Sequence, residues 1–465
     1  MPSAALLNTS GRSLAAAATS RRRHASSGTI QRPARMQPAA AFGADSAATN
    51  GSNGSNGAAP RRRLATLLLH SEGLVNDEFG ASMPPIYQTA TFTQPGATDM
   101  GEYDYSRSGN PTRTVLERQL AVLEGAERAF AFSSGMSALA AVTRLLKAGD
   151  HVVAGDDLYG GTSRLLSRVV PAAGIDVTNV DTSDVAAVAA AIRPGKTALV
   201  MLESPTNPRM QICDIKAICE VAHAAGALVC VDNSILTCLY QRPLDLGADI
   251  AMTSATKFIG GHSDVTAGVL AVKDKALADR IYFVQNAEGT ALGPFDSWLL
   301  VRGIKTMALR MERQAANAMR IAQWLAAHPL VKCVNFPGLE GHAGKAVHDA
   351  QATSAGSVIS FITDDAEVSR VVVEETQLFK ITVSFGNVLS LISMPCFMSH
   401  ASIPADVRAA RGLPDDLVRI SVGIEDIEDL IEDLEQAFQK AAAMAAARGG
   451  ATATASPVAA GGMAA

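Results

Sequence analysis

Nowhere in its 465 residues does the chain hold the roughly 18 uninterrupted apolar residues that a membrane-crossing helix requires, so such a span is excluded. Cysteine is scarce. The six cysteines, Cys213, Cys219, Cys230, Cys238, Cys333 and Cys396, form no Cys-x-x-Cys pair and sit mostly inside apolar runs. That usage excludes a disulfide framework and a zinc ribbon, and suits a reducing compartment. Cys396 and His400 are spaced like metal ligands, but two ligands without partners do not make a metal site. Net positive charge is also missing: the chain stands at −5, which argues against a nucleic-acid partner. There is no repeat of solenoid period.

Acids are nearly absent from one stretch. Residues 1–63 hold nine Arg, no Lys and a single acid, Asp45, for a local charge of +8; the remainder has 31 basic and 44 acidic residues, or −13. The stretch is rich in Ala and Ser, and its longest apolar run is Leu14–Ala18, too short for a secretory signal. This is the composition of an organelle transit peptide without a fold of its own, although a basic tail that stays attached would look the same. Residues 441–465, an Ala/Gly/Thr tail without periodicity, are expected to be disordered. The folded protein is therefore expected between about Leu64 and Lys440.

Between those limits, apolar runs of strand length alternate with helical segments. The runs are Ala129–Phe132, Val152–Ala154, Ala198–Leu202, Leu228–Val231, Ile250–Thr253 and Val269–Val272; the helices are Met136–Leu146, Thr162–Val170, Val185–Ile192 and Ile215–Ala224. Buried strands joined by helices predict an α/β fold, a mostly parallel sheet covered by helices. After Gly303 the texture changes to a long helix, Met311–His328, then strands at Val358–Ile362, Val383–Phe385 and Leu417–Ser421. A closing helix carries Ile424, Ile427, Ile431, Leu434 and Phe438 at spacings of three and four, with acids on its other face. This part reads as a smaller α+β domain.

The chemistry gathers at strand ends. Ser254-Ala-Thr-Lys257-Phe-Ile-Gly-Gly-His262 follows an apolar strand and so emerges where α/β sheets bind ligands. In an extended stretch Ser254 and Thr256 would point one way and Lys257 the other. A lysine in a polar loop is usually a solvated charge, but one between an apolar strand and a Gly-Gly turn is desolvated. Its pKa would fall, and it could act as a nucleophile forming a Schiff base. Asp232 ends an apolar strand 25 residues earlier, either as a helix cap or as the anion for a pyridinium nitrogen. Phe132-Ser-Ser-Gly135-Met136 is strand, small-residue turn and helix start, whose free N–H groups would hold a phosphate. Together these three features specify pyridoxal 5′-phosphate.

With Tyr103-Asp-Tyr-Ser-Arg-Ser-Gly-Asn-Pro-Thr112, Glu203-Ser-Pro-Thr-Asn-Pro208 and Val231-Asp-Asn233 added, the chain over about residues 64–440 resembles the Cys/Met-metabolism family of fold-type I pyridoxal-phosphate enzymes. The resemblance implies an arm at 64–107 contacting a neighbouring subunit, a cofactor-binding α/β domain at 108–303 and a small α+β domain at 304–440. Lys257 would carry the cofactor and Asp232 pair with its ring nitrogen. Gly135, Met136, Ser254 and Thr256 would hold the phosphate, Tyr159 stack on the ring and Asn207 bind its phenolic oxygen. Tyr105 and Arg107 would reach the neighbour's phosphate, implying a homo-oligomer, a tetramer built as a dimer of dimers. Tyr105 is also a candidate proton donor. Arg419, with Ser384 and Phe385, would bind the substrate. The segments Ser384–Ala405 and Phe283–Gly289 resemble the plant β-lyase branch, which implies β-elimination of L-cystathionine in the chloroplast stroma. Members acting at the γ-carbon carry Leu after the serine and a Glu near Leu389; Phe385 and Leu389 stand here, which weighs against γ chemistry.

Overall fold

The computed structural model describes residues 62–70, 79–401 and 405–454. Apart from Arg62 and Arg63, the basic leader lies outside them. Seven strands make the larger sheet: β1 (Arg128–Phe132), β2 (His151–Gly155), β3 (Asp176–Val180), β4 (Thr197–Glu203), β5 (Leu228–Asp232), β6 (Ile250–Thr253) and β7 (Gly268–Val272). Their order is β1-β7-β6-β5-β4-β2-β3; β7 is antiparallel to both neighbours and every other pairing is parallel.

The strands are apolar on both faces because both faces are covered. On β4, Leu199 and Met201 enter one core with Cys230 and Met252, while Val200 and Leu202 enter the opposite core with Val229 and Val231. The sequence pattern overlooked β3. It lies at the sheet edge, its Asp-Val-Thr-Asn-Val is only partly covered, and it lacks the apolar run that marks a central strand.

Two helices matter for the site. α1 (Pro111–Glu124) is capped by the Asn110 side chain, which accepts the Thr112 N–H, and has Pro111 in its first turn. α2 (Gly135–Thr143) starts at the end of β1. The smaller sheet has the order β10-β11-β12-β9-β8, from β8 (Cys333–Asn335), β9 (Val358–Ile362), β10 (Lys380–Ile381), β11 (Leu391–Ser393) and β12 (Leu417–Ser421). Ile321 and Leu325 of α3 (Met307–Ala327) and Leu430, Leu434 and Phe438 of α4 (Ile427–Thr454) pack in its core. No helix among the described residues is long and apolar enough to cross a membrane.

Three expectations are corrected. Val383–Phe385 is not a strand: Ser384 and Gly386 take left-handed backbone angles, and a Cβ on Gly386 would lie 2.8 Å from the Phe258 nitrogen. The chain bends there to lie against the turn after Lys257. Ile424 precedes the closing helix, since Glu425 instead accepts the Ser390 N–H at 2.7 Å. The tail from residue 441 is helical as far as Thr454, with Ala441 buried and Met444 and Ala445 packed on the same core. Alanine's helix propensity and an apolar face, neither of which needs a long periodic pattern, carry α4 onward.

Candidate active site

A cavity of about 460 Å³ opens at the carboxyl ends of β4, β5 and β6. Of the residues singled out from the sequence, Gly135, Met136, Tyr159, Asn207, Asp232 and Ser254 line it, as do Thr256, Lys257, Ser384, Phe385 and Arg419. Tyr105 and Arg107 do not. Tyr105 is 42% exposed, Arg107 lies over its ring at 5.0 Å, and the Arg107 Nε donates to Asn286 Oδ1 at 3.2 Å.

The segment after β6 is coiled rather than extended. Lys257 N–H donates to Ser254 O, Gly260 N–H to Ala255 O and Gly261 N–H to Lys257 O. The turn brings Ser254, Thr256 and Lys257 to one cavity, where an extended strand would have sent Lys257 to the other side. The Lys257 Nζ donates to Ser384 Oγ at 2.6 Å and lies 4.9 Å from the centre of the Phe385 ring. Desolvation, and next the positive charge of Arg419, push its pKa down to about 8 against the opposing pull of Asp232.

Arg419 sits mid-strand on β12 at 3% exposure. It donates to Asn207 Oδ1 at 3.0 Å and to Ser384 O at 2.7 Å, while its Nε has no partner. Burial lowers its pKa to about 10. A guanidinium buried against neutral oxygens, with an N–H left over, is a receptor for an anion, and a carboxylate fits its planar fork.

Asp232 ends β5 and accepts both the N–H (3.0 Å) and the hydroxyl (2.5 Å) of Ser234. In register with it on β4 stands Glu203, which the sequence reading passed over. Glu203 is buried, and its Oε1 accepts the Tyr159 N–H at 2.9 Å. Burial, then the neighbouring Asp232, raise the Glu203 pKa well above the usual carboxylate range. Two adjacent carboxylates cannot both ionise cheaply. Burial raises the Asp232 pKa as well, but the Ser234 bonds and the charge of Lys257 oppose that. Glu203 is therefore the one of the pair that favours the proton, and Asp232, lining the cavity, the one that favours the charge. The available signal was an acid closing an apolar strand, the same signal that marked Asp232.

The phosphate-sized end is built by close approach. Ser134 caps α2 by accepting the Ser137 N–H at 3.0 Å, so the first N–H groups of the helix face the cavity end. Gly268 of β7 passes directly beneath; a Cβ there would lie 2.4 Å from Ser134 O and 2.7 Å from the Gly135 Cα. The Thr256 hydroxyl accepts the Ala267 N–H at 2.9 Å and donates to Ala267 O at 3.2 Å, so binding an anion would redirect its proton. The residues present thus fit pyridoxal phosphate: an anion cradle, a depressed lysine and a carboxylate opposite. The sequence reading also missed Arg164, which ends the short helix Gly160–Arg164, and Met398 and Ser399, which a turn distant in sequence contributes to the cavity. Gly160 permits this closure, since a Cβ there would lie 2.3 Å from Ser399 O.

A family model described as "Cys/Met metabolism PLP-dependent enzyme" matches residues 65–439. The chain is 61% identical over 368 residues to the chloroplastic cystathionine beta-lyase of Arabidopsis thaliana, covering 79% of each protein. It is 60% identical to the chloroplastic cystathionine beta-lyase of Mimosa pudica, covering 79% of this chain and 80% of that one. Among solved structures it is similar to cystathionine gamma-lyase from Lactobacillus plantarum complexed with L-serine, with 41% identity and a TM-score of 0.79. That match covers 81% of this chain and 99% of the other.

The depressed amine has a direct consequence. Only neutral Lys257 attacks an aldehyde, and lowering its pKa from 10.5 to about 8 raises the neutral fraction at pH 7 about three hundredfold. In stopped-flow absorbance with the cofactor-free protein, the rate of Schiff-base formation with pyridoxal phosphate should rise with pH to a midpoint near 8. Removing the neighbouring charge in Arg419→Gln should move that midpoint upward. A wild-type midpoint in the ordinary lysine range would contradict the geometry.

Proposed function

The chain belongs to the Cys/Met metabolism family of PLP-dependent enzymes, and we propose that within it the protein is a cystathionine β-lyase, cleaving L-cystathionine to homocysteine, pyruvate and ammonia. One observation carries the reading: the lysine Nζ, held 2.6 Å from Ser384 Oγ, shares a cavity with a buried arginine that has an unused N–H. A group that moves protons and a group that grips a carboxylate stand side by side, as cleavage of an α-amino acid requires.

Bound pyridoxal phosphate supplies an electron sink for the pair left behind when a substrate α-proton departs. The protein does the rest. Arg419 binds the substrate α-carboxylate through its fork, and Ser384, whose carbonyl Arg419 holds, keeps the Lys257 amine oriented. Neutral Lys257 takes the α-proton. Asp232, kept anionic while Glu203 stays protonated, holds the proton on the ring nitrogen. Gly135, Met136, Ser254 and Thr256 grip the phosphate, Tyr159 covers the ring and Asn207 offers its amide to the phenolic oxygen, its own oxygen being occupied by Arg419. The bond between the β-carbon and sulfur then breaks, and the departing thiolate takes a proton from Lys257 or from Tyr105 of the partner subunit. The aminoacrylate that remains is released and takes up water to give pyruvate and ammonia. Cystathionine has a carboxylate at each end, and Arg164, which also lines the cavity, supplies a second cation.

In one chain the site lacks Tyr105 and Arg107, which stand exposed outside the cavity. We read them as ligands of a neighbouring subunit's phosphate, in a homo-oligomer assembled as a dimer of dimers.

Incubation with L-cystathionine tests the reaction. Homocysteine and pyruvate in equal amounts are expected; cysteine with 2-oxobutyrate would make it a γ-lyase. Turnover only with an activated homoserine ester and cysteine would make it a γ-synthase. Residues 1–63, with nine Arg and one acid, support import into the chloroplast stroma. A fluorescent protein fused behind them should accumulate inside plastids, and cytosolic fluorescence would refute the targeting.

A further inference from the structure

Arg113 is a buried cation to which the reaction gives no task. Arg113, third residue of α1, is 3% exposed and spends its guanidinium on main-chain oxygens. Its Nη1 donates to Ser106 O at 2.7 Å and to Leu292 O at 3.2 Å, and its Nη2 donates to Arg107 O at 3.2 Å. Its Nε lies 3.7 Å from Glu117 Oε1, one turn along the helix, and Glu117 also accepts the Ala131 N–H of β1 at 2.9 Å. The grip thus falls on consecutive carbonyls of the loop that carries Tyr105 and Arg107, and ties that loop to the central sheet.

The loop needs such a grip. Ser108 and Gly109 N–H both turn back to Tyr105 O, and the Asn110 amide donates to Ser106 Oγ, so the main chain is tightly wound. Its two functional side chains are nevertheless exposed, with Arg107 over the Tyr105 ring and bonded to Asn286. A long exposed arginine pays rotamer entropy when it binds a distant anion, and fixing its backbone beforehand lowers that cost. A planar fork can span two successive carbonyls and a third from Leu292; an ammonium on a flexible stem cannot hold all three at once.

We propose that Arg113 is a positioning residue for the neighbouring subunit's cofactor site, fixing the main chain at Ser106 and Arg107 so that Tyr105 and Arg107 project preformed toward that subunit's phosphate. The inference rests on the reading that Tyr105 and Arg107 serve a neighbouring site. It gives Arg113 an effect in the other chain, whereas a purely structural brace would act in its own.

Mixed oligomers separate the two. Chains with different tags are co-expressed and purified through both tags. After dialysis against cofactor-free buffer, the cofactor retained is fixed to Lys257 by borohydride and counted per chain. Arg113→Gln homo-oligomers should lose cofactor affinity about tenfold or more, and Arg113→Lys should fall between them and wild type. In mixed oligomers of Arg113→Gln with Lys257→Ala, a chain that keeps Lys257 is served by an intact Arg113 wherever its site-sharing neighbour is the other variant. The retention per Lys257 chain should rise toward wild type by the share of such pairs. Arg107→Ala mixed with Lys257→Ala is the reference. If the reference recovers and the Arg113→Gln mixture does not, Arg113 acts within its own chain and the proposal falls. If neither recovers, the reading of a shared site fails, and the proposal with it. Homo-oligomers of both Arg113 variants that keep cofactor as wild type does would also overturn it. Should Arg113→Gln not fold, Arg113→Lys carries the same comparisons.

Discussion

Arg419 is a buried cation of the smaller sheet whose hydrogen bonds go to neutral oxygens, those of Asn207 and Ser384, and whose Nε is left unpartnered. Leaving a charge in such a place costs several kcal/mol, because burial removes its water without supplying a counter-ion. The rest of the site answers to that charge. Lys257, close by, gives up its proton more readily because burial strips its water and, next, because a second cation beside Arg419 is unfavourable. Asp232, which lines the same cavity and draws on the charge of Lys257 and the bonds of Ser234, is the better anion of the carboxylate pair, and burial favours the neutral form of Glu203 next to it. An incoming substrate carboxylate would meet an arginine already oriented, paying little to organise it. The unfavourable burial is thereby recovered on binding.

The fold makes this balance possible by delivering each group from a different strand. Glu203, Asp232 and Ser254 come from the ends of three adjacent strands, or just past them, so their spacing is that of a sheet, about 5 Å per strand. Arg419 comes from the other sheet, and the loop at Ser384–Gly386 carries its hydrogen bond across to Lys257. Close backbone packing sets the distances. Gly268 lets β7 run under the start of α2, and Gly386 lets the Ser384 loop touch the Lys257 turn. A side chain at either position would push apart groups whose chemistry depends on contact.

Much of this was legible in the sequence because strand ends leave a plain mark, an apolar run closed by a polar residue. Lys257, Asp232 and the Gly135 turn were found that way. Lys257's direction was not, because periodicity could not distinguish an extended continuation from the tight turn actually formed after Thr253. Glu203 carried the same mark as Asp232, but its role depends on a neighbouring strand that sequence spacing does not reveal. Ser399 reaches the cavity from a turn, where no period operates, and Arg164 from the end of a helix whose period does not show which side chain faces a ligand. β3 was missed as a polar edge strand. The helix past residue 440 was missed because a low-complexity Ala tail has little pattern even when one face is buried. Tyr105 and Arg107 were assigned through the family resemblance, and a single chain leaves them outside the cavity.

The chemistry of the site depends on one amine. Its most direct test is to load the protein with pyridoxal phosphate, reduce it with borohydride, digest it and map the modified lysine by mass spectrometry. The depressed Lys257 beside Ser384 and Arg419 predicts one pyridoxyl group per chain, on the peptide containing Ser254-Ala-Thr-Lys257. Stoichiometric labelling of a different lysine, with Lys257 unmodified, would contradict the account.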